Sequence, residues 1–241
     1  MSIAENFEII ADEVYEKGKK DEYDKFWDNF QNYGNRTNYI SAFQHGGFNF
    51  ENFYPKYDII PIGNSNYMLY NWKVAVGKYV GSLKQRLEEC GVELNTSQCT
   101  NLGAAFAYGG FTELPTIDLS NLTETSTMIF AYNYGYLKTI EKIIMSENTV
   151  ISPSWFAEAF GLENLTIEGT IGQNNFSVKD CKKLSVASLL SILTALSKDQ
   201  SIASGKSVTF STVHQSVIEG DADCLEQLNL AVAAGWTIAY A

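Results

Sequence analysis

Arginine is almost missing from this 241-residue chain: Arg36 and Arg86 are its only copies. Acidic residues outnumber basic ones, and the formal net charge is −11. A chain of that sign repels phosphate, so neither nucleic acid nor an anionic membrane surface is an expected partner. Histidine is as scarce, with only His45 and His214, and neither lies in a nucleophile signature such as GxSxG. No GxxxxGK[ST] phosphate loop occurs, and Gly46-Gly47 and Gly109-Gly110 read as turns. Four cysteines (Cys90, Cys99, Cys181, Cys224) form no CxxC pair and have no histidine beside them. That spacing argues against zinc and for reduced thiols that pack as small hydrophobes. No stretch reaches the roughly 18 consecutive apolar residues of a membrane span. The opening residues Met1 to Glu8 lack both a basic and an apolar signal region, so no secretory signal is expected there. Glu219, Asp221 and Asp223 surround Gly220 without matching a calcium loop, and helix capping explains them. The expectation is therefore a protein with no catalytic, cofactor or metal residues, and not an enzyme.

What is present is a globular composition, 45% hydrophobic, and a repeat. The pattern LxxLxL occurs at 114–119, 140–145, 162–167 and 181–186. Phe106, Phe130, Phe156 and Phe176 stand upstream of successive copies. Units of roughly 20 to 25 residues, each with one short strand, predict a solenoid that buries a shared core only by stacking. Val92-Glu93-Leu94 fits as a degenerate fifth copy. The predicted fold is α/β: a leucine-rich-repeat-like solenoid with a short-stranded parallel sheet from 92–94, 117–119, 143–145, 165–167 and 184–186. Val92, Ile117, Ile143, Leu165 and Leu184 are expected inside, with Leu94, Leu119, Met145, Ile167 and Val186 two residues on. Period-two alternation then sends Glu93, Asp118, Ile144, Thr166 and Ser185 to the open face, the candidate binding face.

Three regions follow. Residues 1–66 form an N-terminal helical and aromatic, Gly- and Asn-rich module. Residues 67–186 form the solenoid, including a short helix at 82–90 stopped by Gly91. Residues 187–241 form an α-β-α-β cap: an apolar helix from Val186 to Leu196, a strand at 207–210, a helix capped by Asp221 or Asp223, and a strand from Trp236. Near the start, Ile3, Phe7, Ile10 and Val14 follow 4-3-4 spacing. That stripe is either an oligomer seam between copies or a face docked on Phe26, Trp27 and Phe30. Tyr132, Tyr134 and Tyr136 form either a recognition loop or a plug of the convex side.

The segment from Phe176 to Ser185 carries an "F…C..L" opening, and Gly235-Trp236-Thr237 closes the last helix. With Glu22 to Asp28, Gly34 to Thr37 and Pro55 to Asp58, these stretches resemble BspA-like leucine-rich repeat proteins. That family comprises bacterial surface proteins and phage or prophage tail-associated proteins of Firmicutes and their phages. The resemblance covers most of the chain. It implies a non-enzymatic protein of attachment or assembly whose partner is a protein or a surface glycan. The absence of an expected secretory signal departs from the family's secreted adhesins and points instead to a virion, or to the bacterial cytoplasm before lysis. A carbohydrate-binding or carbohydrate-processing module using surface aromatics is the alternative.

Overall fold

Ser82 shows how local sequence starts a helix. Its hydroxyl accepts the Gln85 N–H at 3.0 Å and caps helix α1, Leu83–Cys90. Leu83 and Leu87, four residues apart, are buried, and Gly91 ends the helix in a left-handed conformation with φ 66°. In this computed structural model the described residues are 55–56, 58–65, 68–69, 81–172, 175–198 and 206–241. The expected N-terminal helical stripe of Ile3, Phe7, Ile10 and Val14 lies outside them.

The described fold is mixed α/β, with parallel sheets and no closed barrel. The main sheet is assembled from β2 (Gly81–Ser82), β4 (Phe111–Leu114), β5 (Ile117–Asp118), β6 (Thr139–Met145) and β7 (Asn164–Gly169). β4 and β5 lie end to end on one edge of β6, pairing Leu114 with Ile140 and Ile117 with Ile143. β7 lies on the other edge. A smaller ladder pairs β1 (Ile62–Asn64) with β3 (Gln98–Asn101), and Ile59 bridges Leu94. Ile117, Ile143, Leu165, Leu119, Met145 and Ile167 are all buried, and alternation does set the inward face.

Behind the sheet, the return segments stack with the same spacing. Phe106 and Phe130 lie parallel with centroids 5.8 Å apart, and Phe130 and Phe156 follow at 5.3 Å. Phe156 meets Phe176 edge-on at 5.8 Å, and all four rings are at most 1% exposed. The backbone forms a second ladder alongside: Phe106 N–H donates to Ile129 O, and Phe130 N–H to Trp155 O. Buried Asn133 ties the layers together. Its amide oxygen accepts Gly110 N–H at 3.1 Å, and its amide nitrogen donates to Phe106 O and Phe130 O at 3.0 Å. Gly161 is needed for a close approach, because a Cβ there would stand 2.6 Å from the Gly135 carbonyl oxygen.

Three expectations need correction. Residues 184–186 are not a strand. Ser185 caps helix α2, Val186–Ser197, and Val186 is 42% exposed. The serines explain why a helix takes the place of the last strand. Leu165 N–H donates to Ser188 Oγ at 2.9 Å and Ile167 N–H to Ser191 Oγ at 2.8 Å. Hydroxyls one helical turn apart thus satisfy the outer edge of β7, which would otherwise present unpaired donors. Nor does 92–94 join the main sheet. Thr96 Oγ1 instead accepts Asp118 N–H at 2.8 Å and donates to Asp118 O at 2.9 Å, so a side chain stands where a strand was expected. Finally, Ile143 pairs with Ile167 rather than Leu165. A bulge between Ile140 and Ile143 shifts the register by one residue on β6 while leaving the buried set inside.

The C-terminal region is a second parallel sheet, in the order β10-β9-β8. It comprises β8 (Phe176–Ser177), β9 (Lys206–Phe210) and β10 (Trp236–Tyr240). Helices α3 (Thr212–Gly220) and α4 (Ala222–Ala233) connect β9 to β10. Asp221 caps α4 through Cys224 N–H at 2.9 Å, as its position before the helix suggests. Helix α3 is an element that the sequence reading does not contain; its inward residues are His214 and Ile218. His214 is 2% exposed. Burial lowers its pKa from the ordinary 6.5, partly offset by the nearby backbone of Cys181 and Lys182. All four cysteines are free.

Leu165→Ala is expected to lower unfolding free energy by about 2–5 kcal/mol in denaturant titration, as a buried large-to-small change. Ser188→Ala is expected to cost about 1–3 kcal/mol, because it leaves Leu165 N–H without its partner. A loss within ~0.5 kcal/mol, typical of surface positions, would show that the hydroxyl does not sustain the edge. The depressed pKa of His214 favours the neutral ring in the folded state. Stability is then fully present above pH 6.5 and declines as pH falls below it, where the unfolded state takes up the proton first. His214→Leu should flatten that part of the pH–stability curve.

Candidate functional site

Open-face side chains and helix α1 enclose a groove of about 410 Å³. Its apolar part is Leu87, Val92, Leu94, Pro115 and Ile144. Alternation in β5 and β6 turns Asp118 and Ile144 outward, and the exposed turn after α1 brings Glu93 to the same opening. Three of the five candidate binding-face residues therefore line one groove. Thr166 is exposed on β7 and is not part of that lining. Ser185 is not on the sheet: its side chain caps α2, with its oxygen 2.9 Å from Ser188 Oγ.

Four carboxylates, Glu88, Glu93, Asp118 and Glu141, face one ammonium, Lys84, around this groove. Lys84 Nζ lies 3.0 Å from Glu141 and 3.9 Å from both Glu113 and Glu88. The hydrogen bond to Glu141, then its charge, raises the Lys84 pKa above the ordinary 10.5. For Glu141, burial pushes the pKa upward, but Lys84 and the Thr116 hydroxyl outweigh it and hold the carboxyl below 4.5. The lysine is thus held by its own neighbours. No described Lys or Arg forms an ion pair with Glu93 or Asp118. Asp118 Oδ1 accepts only a local bond, from Ser120 N–H at 2.9 Å.

Lys84, Thr96, Pro115, Thr116 and Glu141 are site residues that pattern reading missed. Lys84 and Glu88 are visible as an i,i+4 helical pair. Lys84 and Glu141 are brought together by the tertiary fold alone.

The tyrosine loop has a different character. Tyr132 stacks on Tyr108 with centroids 4.7 Å apart and planes 8° from parallel. Tyr134 and Tyr136 are 39% and 41% exposed, and Phe160 is 42% exposed. Gly161 N–H donates to Tyr134 O, which brings Phe160 beside the loop. Tyr108, Tyr132 and Glu158 all have φ of 56–57°. A left-handed backbone costs a non-glycine residue about 1–2 kcal/mol, and its recurrence at matching places marks a shared turn geometry. Among the described residues no group of His, Cys, Asp or Glu is arranged to hold a metal ion. No described helix is long and apolar enough to cross a membrane. Comparison with protein-family models, curated proteins and solved structures finds no match to this chain.

Lys84→Met should raise the Glu141 pKa, measured by NMR titration of the carboxyl carbon, because it removes the group that holds it down. Since the folded-state pKa of Glu141 is depressed, its contribution to stability is present above pH 4.5 and lost as pH falls through the folded value. The variant should lose that acid dependence. An unchanged Glu141 titration would show that the ion pair does not form in solution.

Proposed function

We propose that this chain is a non-enzymatic recognition protein whose leucine-rich-repeat-like solenoid presents a binding face, acting in a phage tail or at a bacterial surface. The observation that carries the reading is the two-sidedness of the main sheet. One face is sealed by the phenylalanine stack, and the other offers a groove between helix α1, the 92–96 segment and the outward residues of β5 and β6. Parallel pairing at a spacing near that of the sequence repeat, with matching stacked phenylalanines and buried polar ties, supports the solenoid assignment. The resemblance to BspA-like proteins supports attachment or assembly, with a virion or the host cytoplasm before lysis as location. Repeat surfaces of this kind act by holding a partner, and the reading assigns no catalytic residues or cofactor. A carbohydrate-binding module is the second reading, favoured by the exposed aromatics at Tyr134, Tyr136 and Phe160 beside the stacked Tyr108–Tyr132 pair.

Binding of the intact chain to bacterial envelope preparations and to purified phage particles tests the proposal. Added positive charge on the open face, by Thr166→Lys with Glu168→Lys and Asp118→Lys, should weaken binding about 10-fold or more while the thermal melt stays cooperative. Loss of binding on Tyr134→Ala with Tyr136→Ala, but not on the added face charge, would favour the glycan reading. No binding to either preparation would sink the recognition reading.

A further inference from the structure

The groove contains an arrangement that the fold itself does not require. Its carboxylates stand beside an apolar strip of Leu87, Val92, Leu94, Pro115 and Ile144. Lys84, the one cation in the lining, is engaged by Glu141, Glu113 and Glu88. Glu93 and Asp118 have no ion-pair partner among the described residues. Pro115 and half-buried Ile144 line the same groove; Ile144, paired with Asp118 across β5 and β6, is an outward apolar residue on an otherwise polar sheet face. An aliphatic stem and a cationic head are what such a surface complements, because the stem covers apolar area while the head reaches the carboxylates.

The backbone adds a shape. The 92–94 segment does not continue the parallel ladder onto β5; the Thr96 hydroxyl bridges to Asp118 at one point only. The groove runs along this break, and its volume of about 410 Å³ accommodates one long side chain together with a short extended stretch of backbone.

We infer that the groove receives an extended peptide segment bearing lysine or arginine, with the basic side chain laid over Ile144 and Pro115 and its head between Glu93 and Asp118. This rests on the recognition reading above and specifies the partner for that same face. The occupant is a protein segment rather than a neutral glycan. Four carboxylates around one ammonium give long-range attraction to a cation and nothing comparable to a neutral sugar.

The test uses the full chain and a fluorescein-labelled alternating Lys/Ala octapeptide, with its fully lysine-acetylated form and a neutral oligosaccharide as competitors. Anisotropy titrations should give saturable binding that weakens as salt rises, and neither the acetylated peptide nor the sugar should compete. Glu93→Gln with Asp118→Asn preserves shape, and the introduced amide retains an oxygen for Ser120 N–H. That pair should weaken binding about 10-fold or more. The control Glu219→Gln with Glu226→Gln removes equal charge from α3 and α4 and should leave binding unchanged. Equal losses in both pairs would reduce the interaction to general attraction by an acidic chain and overturn the inference. Absence of peptide binding, or competition by the acetylated peptide or the sugar, would overturn it too. If the envelope or phage binding proposed above persists in the Glu93→Gln, Asp118→Asn protein, this groove assignment fails while the recognition reading stands. If that binding is absent from the wild type, the recognition reading is what fails.

Discussion

A phenylalanine ring in each return segment must find the ring of the preceding one, and most of the structure follows from that contact. Phe106, Phe130 and Phe156 stack with successive planes 9° and 21° from parallel and centroids 5.3–5.8 Å apart, close to the spacing of adjacent strands. A return segment that was longer or shorter without a compensating bulge would move its ring out of the stack and its strand out of register together. The backbone of the return adapts to the stack. Tyr108, Tyr132 and Glu158 accept left-handed conformations, and Asn133 supplies hydrogen bonds that two consecutive layers lack. The stack changes at Phe176, which meets Phe156 edge-on and belongs to the second sheet.

Parallel sheets built this way have two edges to satisfy, and this chain uses hydroxyls at both. Thr96 serves Asp118 on one side, while Ser188 and Ser191 serve Leu165 and Ile167 on the other. The two solutions have different consequences. On the β7 side, a twelve-residue apolar helix brings its serines to the strand and covers the edge. On the β5 side, a single threonine leaves the neighbouring chain only partly joined, and the groove runs along that incomplete seam. The site thus arises from how one sheet edge ends, with α1 as its far wall and Lys84 held in place by three carboxylates.

The inward residues of the central strands were legible because a period of two is a local property, and a bulge that displaces register need not change which side a residue faces. Ile143 therefore stays buried although its partner is Ile167 rather than Leu165. Half of the groove was legible for the same reason: Asp118 and Ile144 are outward by alternation. Its other half was not, since Lys84 and Glu141 share no pattern across 57 positions and meet only when α1 packs beside β6. Ser185 was misplaced because Leu184-Ser185-Val186 reads equally as a strand core and as the start of a capped helix. The choice depends on what lies alongside.

By itself, then, the sequence determined the repeat spacing, the phenylalanines that stack, the helix stops at Gly91 and Gly235, and the inward set of the middle strands. These all follow from interactions within a few residues or from strict periodicity. Tertiary structure alone decided where the main sheet ends, which polar side chains replace missing strands, and which charges converge over Ile144. Each of those outcomes depends on satisfying backbone groups and carboxylates with partners distant in the chain, and no local pattern records which partner will be there.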